Sequence, residues 1–199
     1  DEQGKKRKRA RRKKGKGGDK GPSSNEKSGE FSLCLWNPQG LGVKNLLLKG
    51  RLAALGAKFC GIPESQTYRA SHLSDQNYIW DPGVETCPSA IQNHPPGGIG
   101  VMVSRGLSHS VLYAGKYSMW VRIEIEDSVP IFVCVCYFPH SSKTRQHRAG
   151  WNEIDERAKG YRELGHLVIM GDFNAHCGIH GDKLDTAGRQ LLRRSATLG

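Results

Sequence analysis

The chain has 199 residues, room for one domain or at most two, and for a core that needs no disulfide support. Apolar residues make up 37% of it, too many for wholesale disorder, and the longest apolar stretch, Val129 to Phe138, is half the length a bilayer requires and carries Pro130. Thirty Lys and Arg against 19 Asp and Glu give a formal charge of +11, unevenly spread: residues 1–30 hold twelve bases and five acids, so the other 169 residues carry only +4.

Residues 5–16 place ten positive charges in twelve positions, including Lys5, Lys6, Arg7, Lys8, Arg9, Arg11 and Arg12, and Gly, Ser, Pro and Lys follow to Glu30. Such a run repels itself and has no apolar face to bury, so residues 1–30 are expected to be a disordered basic tail. It fits a nuclear-import address, an arm binding nucleic acid by counterion release, or a solvated leader without a chemical role. A folded domain is expected over 31–199.

Phe31, Leu33 and Leu35 alternate with Ser32, Cys34 and Trp36, predicting a short strand that ends in the turn signal Asn37-Pro38-Gln39-Gly40. Leu46, Leu47, Leu48, Leu52 and Leu55 then recur at helical spacing, with Lys44, Lys49, Arg51 and Lys58 assigned to the opposite side. Further strands are predicted at 59–62, 78–80, 98–103, 119–125, 131–138 and 167–170, and a polar helix at 146–164. Strands outnumber helices, and two strand-helix-strand passages bracket a β-rich middle, which predicts two packed sheets with helices outside.

Six cysteines (Cys34, Cys60, Cys87, Cys134, Cys136 and Cys177) are spread through a chain large enough to do without them, so reduced and mostly buried thiols are expected. Cys134 and Cys136, two apart on one strand, share a face and suit burial side by side. Gly97-Gly98-Ile99-Gly100 lacks a phosphate-loop ending and reads as a tight turn into a strand. His176, Cys177 and His180 have zinc-ligand chemistry but no second cysteine pair nearby, which argues against structural zinc.

Four apolar strands end in polar residues: Asn37, Glu64, the run Tyr137-Phe138-Pro139-His140, and Asp172-Phe173-Asn174. In α/β architectures functional groups gather at strand ends, where a rigid sheet aims them into a crevice. Glu64 and Asn37 offer the hard oxygen donors that Mg²⁺ prefers, Asp172 can accept a proton from water, and Asn174 and Tyr137 can donate to phosphoryl oxygens. Together they are the parts for metal-assisted attack of water on a phosphodiester.

The segments 36–41 (Trp-Asn-Pro-Gln-Gly-Leu), 61–65 (Gly-Ile-Pro-Glu-Ser), 97–101, 135–139 (Val-Cys-Tyr-Phe-Pro) and 169–175 (Ile-Met-Gly-Asp-Phe-Asn-Ala), in that order and spacing, resemble the endonuclease/exonuclease/phosphatase superfamily. Within it they are similar to the apurinic-endonuclease-like domains of non-LTR (LINE-type) retrotransposons and the related craniofacial development protein 2-like proteins. The helix start Asp185 to Leu192 fits the same branch. The resemblance implies an α/β (α+β) fold, a DNase I-like four-layer αββα sandwich, and a divalent-metal-dependent DNA endonuclease. It assigns Glu64 and Asn37 to a Mg²⁺ or Mn²⁺ ion, Tyr137 to the phosphate, Asp172 to the nucleophilic water and Asn174 to the pentacovalent phosphorus.

It also implies a nuclear protein acting on DNA, without a membrane role, and followed in full length by a reverse transcriptase domain. Two departures matter. His140 stands where the family often has Asn, and the family's Ser-Asp-His segment has no counterpart, because the sequence contains no Asp-His dipeptide. The 199 residues are therefore expected to be a piece of a longer protein, incomplete at the C-terminus and weakly active alone. Two other readings fit the same residues: a non-catalytic nucleic-acid-binding remnant, and a same-fold phosphatase acting on inositol phosphates or lipids.

Overall fold

The computed structural model describes residues 32–67, 73–83, 98–140, 142–179 and 181–198. The basic run with Lys5, Lys6, Arg7, Lys8, Arg9, Arg11 and Arg12 lies outside the described residues, as do Cys87 and His180.

Two strand-helix-strand units organise the molecule. In the first, β1 (Leu33–Leu35) leads through a single 3₁₀ turn into α1 (Asn45–Leu55) and back to β2 (Phe59–Pro63), which lies parallel to β1 with Leu33 opposite Phe59. In the second, β7 (Ile131–Tyr137), α2 (Thr144–Arg162) and β8 (His166–Asp172) repeat the arrangement, again with a parallel pair. Between them run β3 (Tyr78–Pro82), β4 (Ile99–Ser104), β5 (His109–Ala114) and β6 (Ser118–Ile123), all pairing antiparallel. The result is two four-stranded mixed sheets, β1-β2-β4-β3 and β5-β6-β7-β8, with α3 (Thr186–Leu198) closing the described chain.

Alternation along the strands separates three apolar layers. Phe59, Val101, Val103, Met119, Val121, Val133 and Val135 point into the space between the sheets. Cys60, Ile62, Trp80 and Met102 point the other way, under Leu48 and Leu52 of α1. Phe132, Cys134 and Cys136 lie beneath Trp151, Ile154 and Ala158 of α2, with Leu191 of α3 against the same cluster. Helix, sheet, sheet and helix thus form the four layers expected from the order of strand-helix-strand passages and from the family resemblance. A Cβ on Gly61 would come within 2.8 Å of Val135 Cγ2, so β2 and β7 face each other at a distance only glycine allows. The two parallel pairs therefore sit back to back, with all four of their C-terminal ends on one side.

Two local expectations needed correction. The helix at 45–55 buries Leu48, Leu52 and Lys49, whereas Leu46, Leu47 and Leu55 are exposed. Lys49 is drawn inward because its Nζ lies 2.6 Å from Asp75 Oδ2, an ion pair made by a segment 26 residues away that helical periodicity does not see. β5 was not predicted at all. Val111 and Leu112 are both 40% exposed on this edge strand, and a register shift between Val111 and Tyr113 breaks the period of two. Five cysteines in the described residues are free, and Cys60, Cys134 and Cys136 are buried, as chain size and strand alternation predict. No helix among the described residues is long and apolar enough to cross a membrane.

Candidate active site

The strand ends are tied together by backbone bonds before any side chain acts. The turn after β1 continues to pair with the end of β2, with Gly40 N–H donating to Glu64 O (3.0 Å) and Leu41 N–H to Ser65 O (2.7 Å). Ser65 N–H donates to Gly98 O (3.1 Å), so Gly98, just before β4, braces the same corner. In the other sheet Tyr137 stands directly opposite Asp172, and Phe138 N–H donates to Asp172 O (2.8 Å). Alternation then sends Phe138 and Phe173 into the aromatic cluster with Trp151, centroids 5.2–5.5 Å apart, and leaves Tyr137 and Asp172 facing the other sheet. Gly171 is fixed by contact, since a Cβ there would strike the Cys136 carbonyl oxygen of β7.

At this junction Asn37 bridges the sheets. Its Nδ2 donates to Glu64 Oε2 at 3.1 Å and to Asp172 Oδ2 at 2.8 Å, and its Oδ1 accepts from Gln39 N–H at 3.0 Å. Asp172 Oδ1 accepts the Asn174 backbone N–H at 2.9 Å, and Asn174 Nδ2 donates to Phe138 O at 2.7 Å. Burial pushes the Tyr137 hydroxyl above its usual value of 10, and the negative charges of Glu64 and Asp172, together with a hydrogen bond to Glu64, push the same way. Asn37, Glu64, Tyr137, Asp172 and Asn174, the first and last of which lie 137 positions apart in sequence, thus meet in one half-buried constellation.

Gln66, absent from the sequence-based set, donates from Nε2 to Glu64 Oε1 at 3.2 Å. Its place on an irregular segment carries no sequence signal of this contact. The backbone here is also unusual: of the five non-glycine residues with positive φ among the described residues, Gln39, Glu64, Gln66 and Asn174 belong to this corner. Left-handed backbone at such residues costs on the order of 1–3 kcal/mol each and persists where surrounding contacts enforce it, as at ligand sites.

The donor set fits a hard divalent cation. Two carboxylates are held close enough to share one amide, and both act on Tyr137 as negative charge. Among the described residues no three His, Cys, Asp or Glu side chains form a metal cage. Glu64 and Asp172 with the Asn37 amide meet the requirement of Mg²⁺, which takes one or two carboxylates and keeps its remaining shell for water and phosphate. The nitrogen of Asn37, rather than its oxygen, faces the carboxylates, and a half-turn about χ2 exchanges the two. The zinc candidate of His176, Cys177 and His180 falls partly outside the described residues, because His180 is not among them.

Beside this centre a cleft of about 360 Å³ opens, lined by Asp172, Asn174, His140, His176 and Leu191 among others. α3 begins at its wall, where Asp185 Oδ1 caps the helix by accepting Gly188 N–H at 2.6 Å.

No family model and no curated protein matches the chain. Solved structures do. The endonuclease domain of TRAS1, a telomere-specific non-LTR retrotransposon, superposes with a TM-score of 0.63 at 18% identity, covering 85% of this chain and 71% of that one. The catalytic domain of Xenopus laevis APE2 gives 0.58 at 16% identity, with coverages of 80% and 66%. The 3′ phosphatase NExo from Neisseria, solved with a product DNA hairpin, gives 0.57 at 14% identity, with coverages of 85% and 72%. The chain therefore has the DNase I-like fold of these solved structures and spans 66–72% of their length.

Proposed function

We propose that this chain belongs to a divalent-metal-dependent phosphodiester hydrolase that nicks DNA, of the kind LINE-type retrotransposons carry. The observation that carries the reading is the Asn37 amide shared between Glu64 of one sheet and Asp172 of the other. A site assembled from both sheets, with paired carboxylates and neutral donors around them, suits an anionic substrate only if a cation joins it. Glu64 and Asn37 would hold Mg²⁺ or Mn²⁺. Bound there, the ion supplies Lewis-acid charge that neutralises phosphoryl oxygens.

The protein groups have separable tasks. Asp172 orients the attacking water and accepts its proton, while its own oxygens are held by Asn37 and by Asn174 N–H. Asn174 uses one amide hydrogen on Phe138 O and has a second for a phosphoryl oxygen. Tyr137, whose hydroxyl lies beside Glu64 and Asp172, donates to the phosphate. Lys5, Lys6, Arg7, Lys8, Arg9, Arg11 and Arg12 would add sequence-independent, salt-sensitive affinity for nucleic acid and a nuclear address. Support for a DNA substrate comes from the neighbours, which include a retrotransposon endonuclease and a DNA-bound phosphatase. In a LINE-type element the nick would expose a primer end for a reverse transcriptase.

The test is nicking of supercoiled plasmid by the full-length protein, with abasic duplex and a phosphoinositide as competing substrates. Mg²⁺-dependent nicking should fall by about 10² or more in Glu64→Gln and in Asp172→Asn. Nicking that is unchanged in both variants, or hydrolysis confined to the phosphoinositide, would overturn the proposal.

A further inference from the structure

The first turns of α2 run against a rule of helix stability. The backbone dipole is positive where a helix starts, so acidic and capping side chains stabilise that end and cations destabilise it. Yet α2 opens on Lys143, Arg145 and Arg148, with no acidic residue in its first turn and no side-chain cap. All three cations are exposed, and among the described residues none has a hydrogen bond, ion pair or ring contact. The sequence from 128 to 152 contains no Asp or Glu. Glu153, the next acid along, turns inward, where it accepts from Ser118 N–H at 2.9 Å and from the Ser118 hydroxyl at 2.7 Å. Charges that oppose local stability and make no packing contact mark a surface kept for a partner.

Packing sets this surface beside the strand ends without making it part of the constellation there. Phe138, the residue after Tyr137, lies edge-on to His147 with centroids 5.3 Å apart, and His147 Nε2 is 2.7 Å from Pro139 O, so the first turn of α2 is anchored to the end of β7. The Tyr117 ring also packs on Phe138, at 6.3 Å, and exposed Lys116 holds its Nζ 5.3 Å from the Tyr117 centroid. Cations from two elements thus flank one aromatic ridge. The opposite end of the sandwich has the reverse charge: the turns after β6 and α2 hold Glu124, Glu126, Asp127 and Glu163 and no Lys or Arg. A lipid surface would need apolar side chains beside the cations, and none of the exposed large apolar side chains among the described residues falls between 131 and 163. The partner that fits is a hydrophilic polyanion.

We propose that Lys143, Arg145 and Arg148, with Lys116, form a docking surface for the phosphate backbone of a DNA duplex, flanking the hydrolytic site on the α2 side. The identity of the polyanion rests on the nuclease reading, while the surface acts through charge alone and requires neither metal nor turnover. Its cations displace counterions from the phosphates, so binding is sequence-independent and weakens steeply with salt.

The test measures binding of a short DNA duplex to the full chain in EDTA by fluorescence anisotropy, over about 50–200 mM salt. One variant carries Lys143→Gln, Arg145→Gln and Arg148→Gln together. A charge-matched control carries Arg51→Gln, Lys58→Gln and Lys159→Gln, exposed cations on other surfaces. The basic run at residues 5–16 is the same in both, so its contribution cancels in the comparison. In the first variant affinity at about 0.1 M salt should fall about tenfold or more, and the slope of log affinity against log salt should flatten by about 2–3, while the control changes by less than about threefold. The first variant should melt no lower than the parent, because it removes cations from the start of a helix, and a lower melting temperature would overturn that part of the argument. Equal losses in the two variants, or parent affinity and slope in the first, would overturn the surface. So would a loss confined to phosphatidylserine vesicles tested alongside. Nicking in Mg²⁺ separates the two readings. Where the parent nicks, the first variant should raise KM and keep kcat, and an unchanged KM would overturn the surface while leaving the nuclease reading. Duplex binding that depends on these cations, without nicking by the parent, would refute the nuclease reading and leave the surface.

Discussion

Removing the Asn37 side chain tests the architecture of the site without requiring activity. In Asn37→Ala two charge-assisted hydrogen bonds disappear, at 3.1 and 2.8 Å, along with the acceptor for Gln39 N–H. Hydrogen bonds to charged groups are worth about 1.5–3 kcal/mol when well shielded. Glu64 and Asp172 are only half-buried, so water replaces part of each bond, and about 1 kcal/mol apiece is the appropriate scale, with somewhat less for the turn contact. The expected loss is about 2–3 kcal/mol, or about 5–10 °C in melting temperature for a domain of this size. Urea denaturation in EDTA measures it directly. A double-mutant cycle with Asp172→Ala should return a coupling of about 1–2 kcal/mol, because the partners lie 135 residues apart in sequence and meet only if the sheets are docked as described. A cycle that closes to zero, or an Asn37→Ala protein as stable as the parent, would refute the shared-amide geometry and the functional argument built on it.

Gly171→Ala drives a methyl group into the Cys136 carbonyl and should cost about 1–3 kcal/mol by thermal melting, since β7 and β8 must separate to admit it. The His109 imidazole, 2.5 Å from Asp81 Oδ2, has its pKa raised, chiefly by that hydrogen bond and against the opposing effect of burial. A raised folded-state pKa means stability that is full below the ordinary value of 6.5 and lost as pH rises through the folded value. The stability gap between the parent and His109→Gln should therefore narrow from acid to alkaline pH in urea titrations, and a gap that widens would reverse the assignment. Asp75 is held down to about 2, first by its hydrogen bond from Lys49 and then by backbone donors. Its contribution is present above the unfolded value of 3.8 and fades as pH falls through about 2, and solvent screening at this partly exposed carboxylate keeps it small. Carboxyl NMR titration of Asp75 checks the value, and Asp75→Asn should remove that part of the acid sensitivity.

Much of the site was legible because its residues are punctuation in an otherwise regular pattern. Asn37, Glu64, Tyr137, Asp172 and Asn174 each stand where an apolar run stops, and a strand that stops at a polar residue marks the rim of a sheet. Gln66 was not legible, because a glutamine in an irregular loop acquires meaning only from the carboxylate it reaches. β5 escaped because an exposed, bulged edge strand lacks the alternation that burial imposes. The face of α1 was misread at Lys49 because a cation at the right distance from Asp75 is drawn inward against its hydropathy.

By itself the sequence determined most of the strands and helices in their order and the chemical types available at the strand ends, because periodicity and turn chemistry are local properties of the chain. Tertiary structure alone decided that the two parallel pairs dock back to back through Gly61 and Val135, that one amide serves carboxylates from both sheets, and that His176 and Asp182 meet beside the cleft. These are distances between groups remote in sequence. They are set by how side chains of two sheets interlock, which no local pattern encodes.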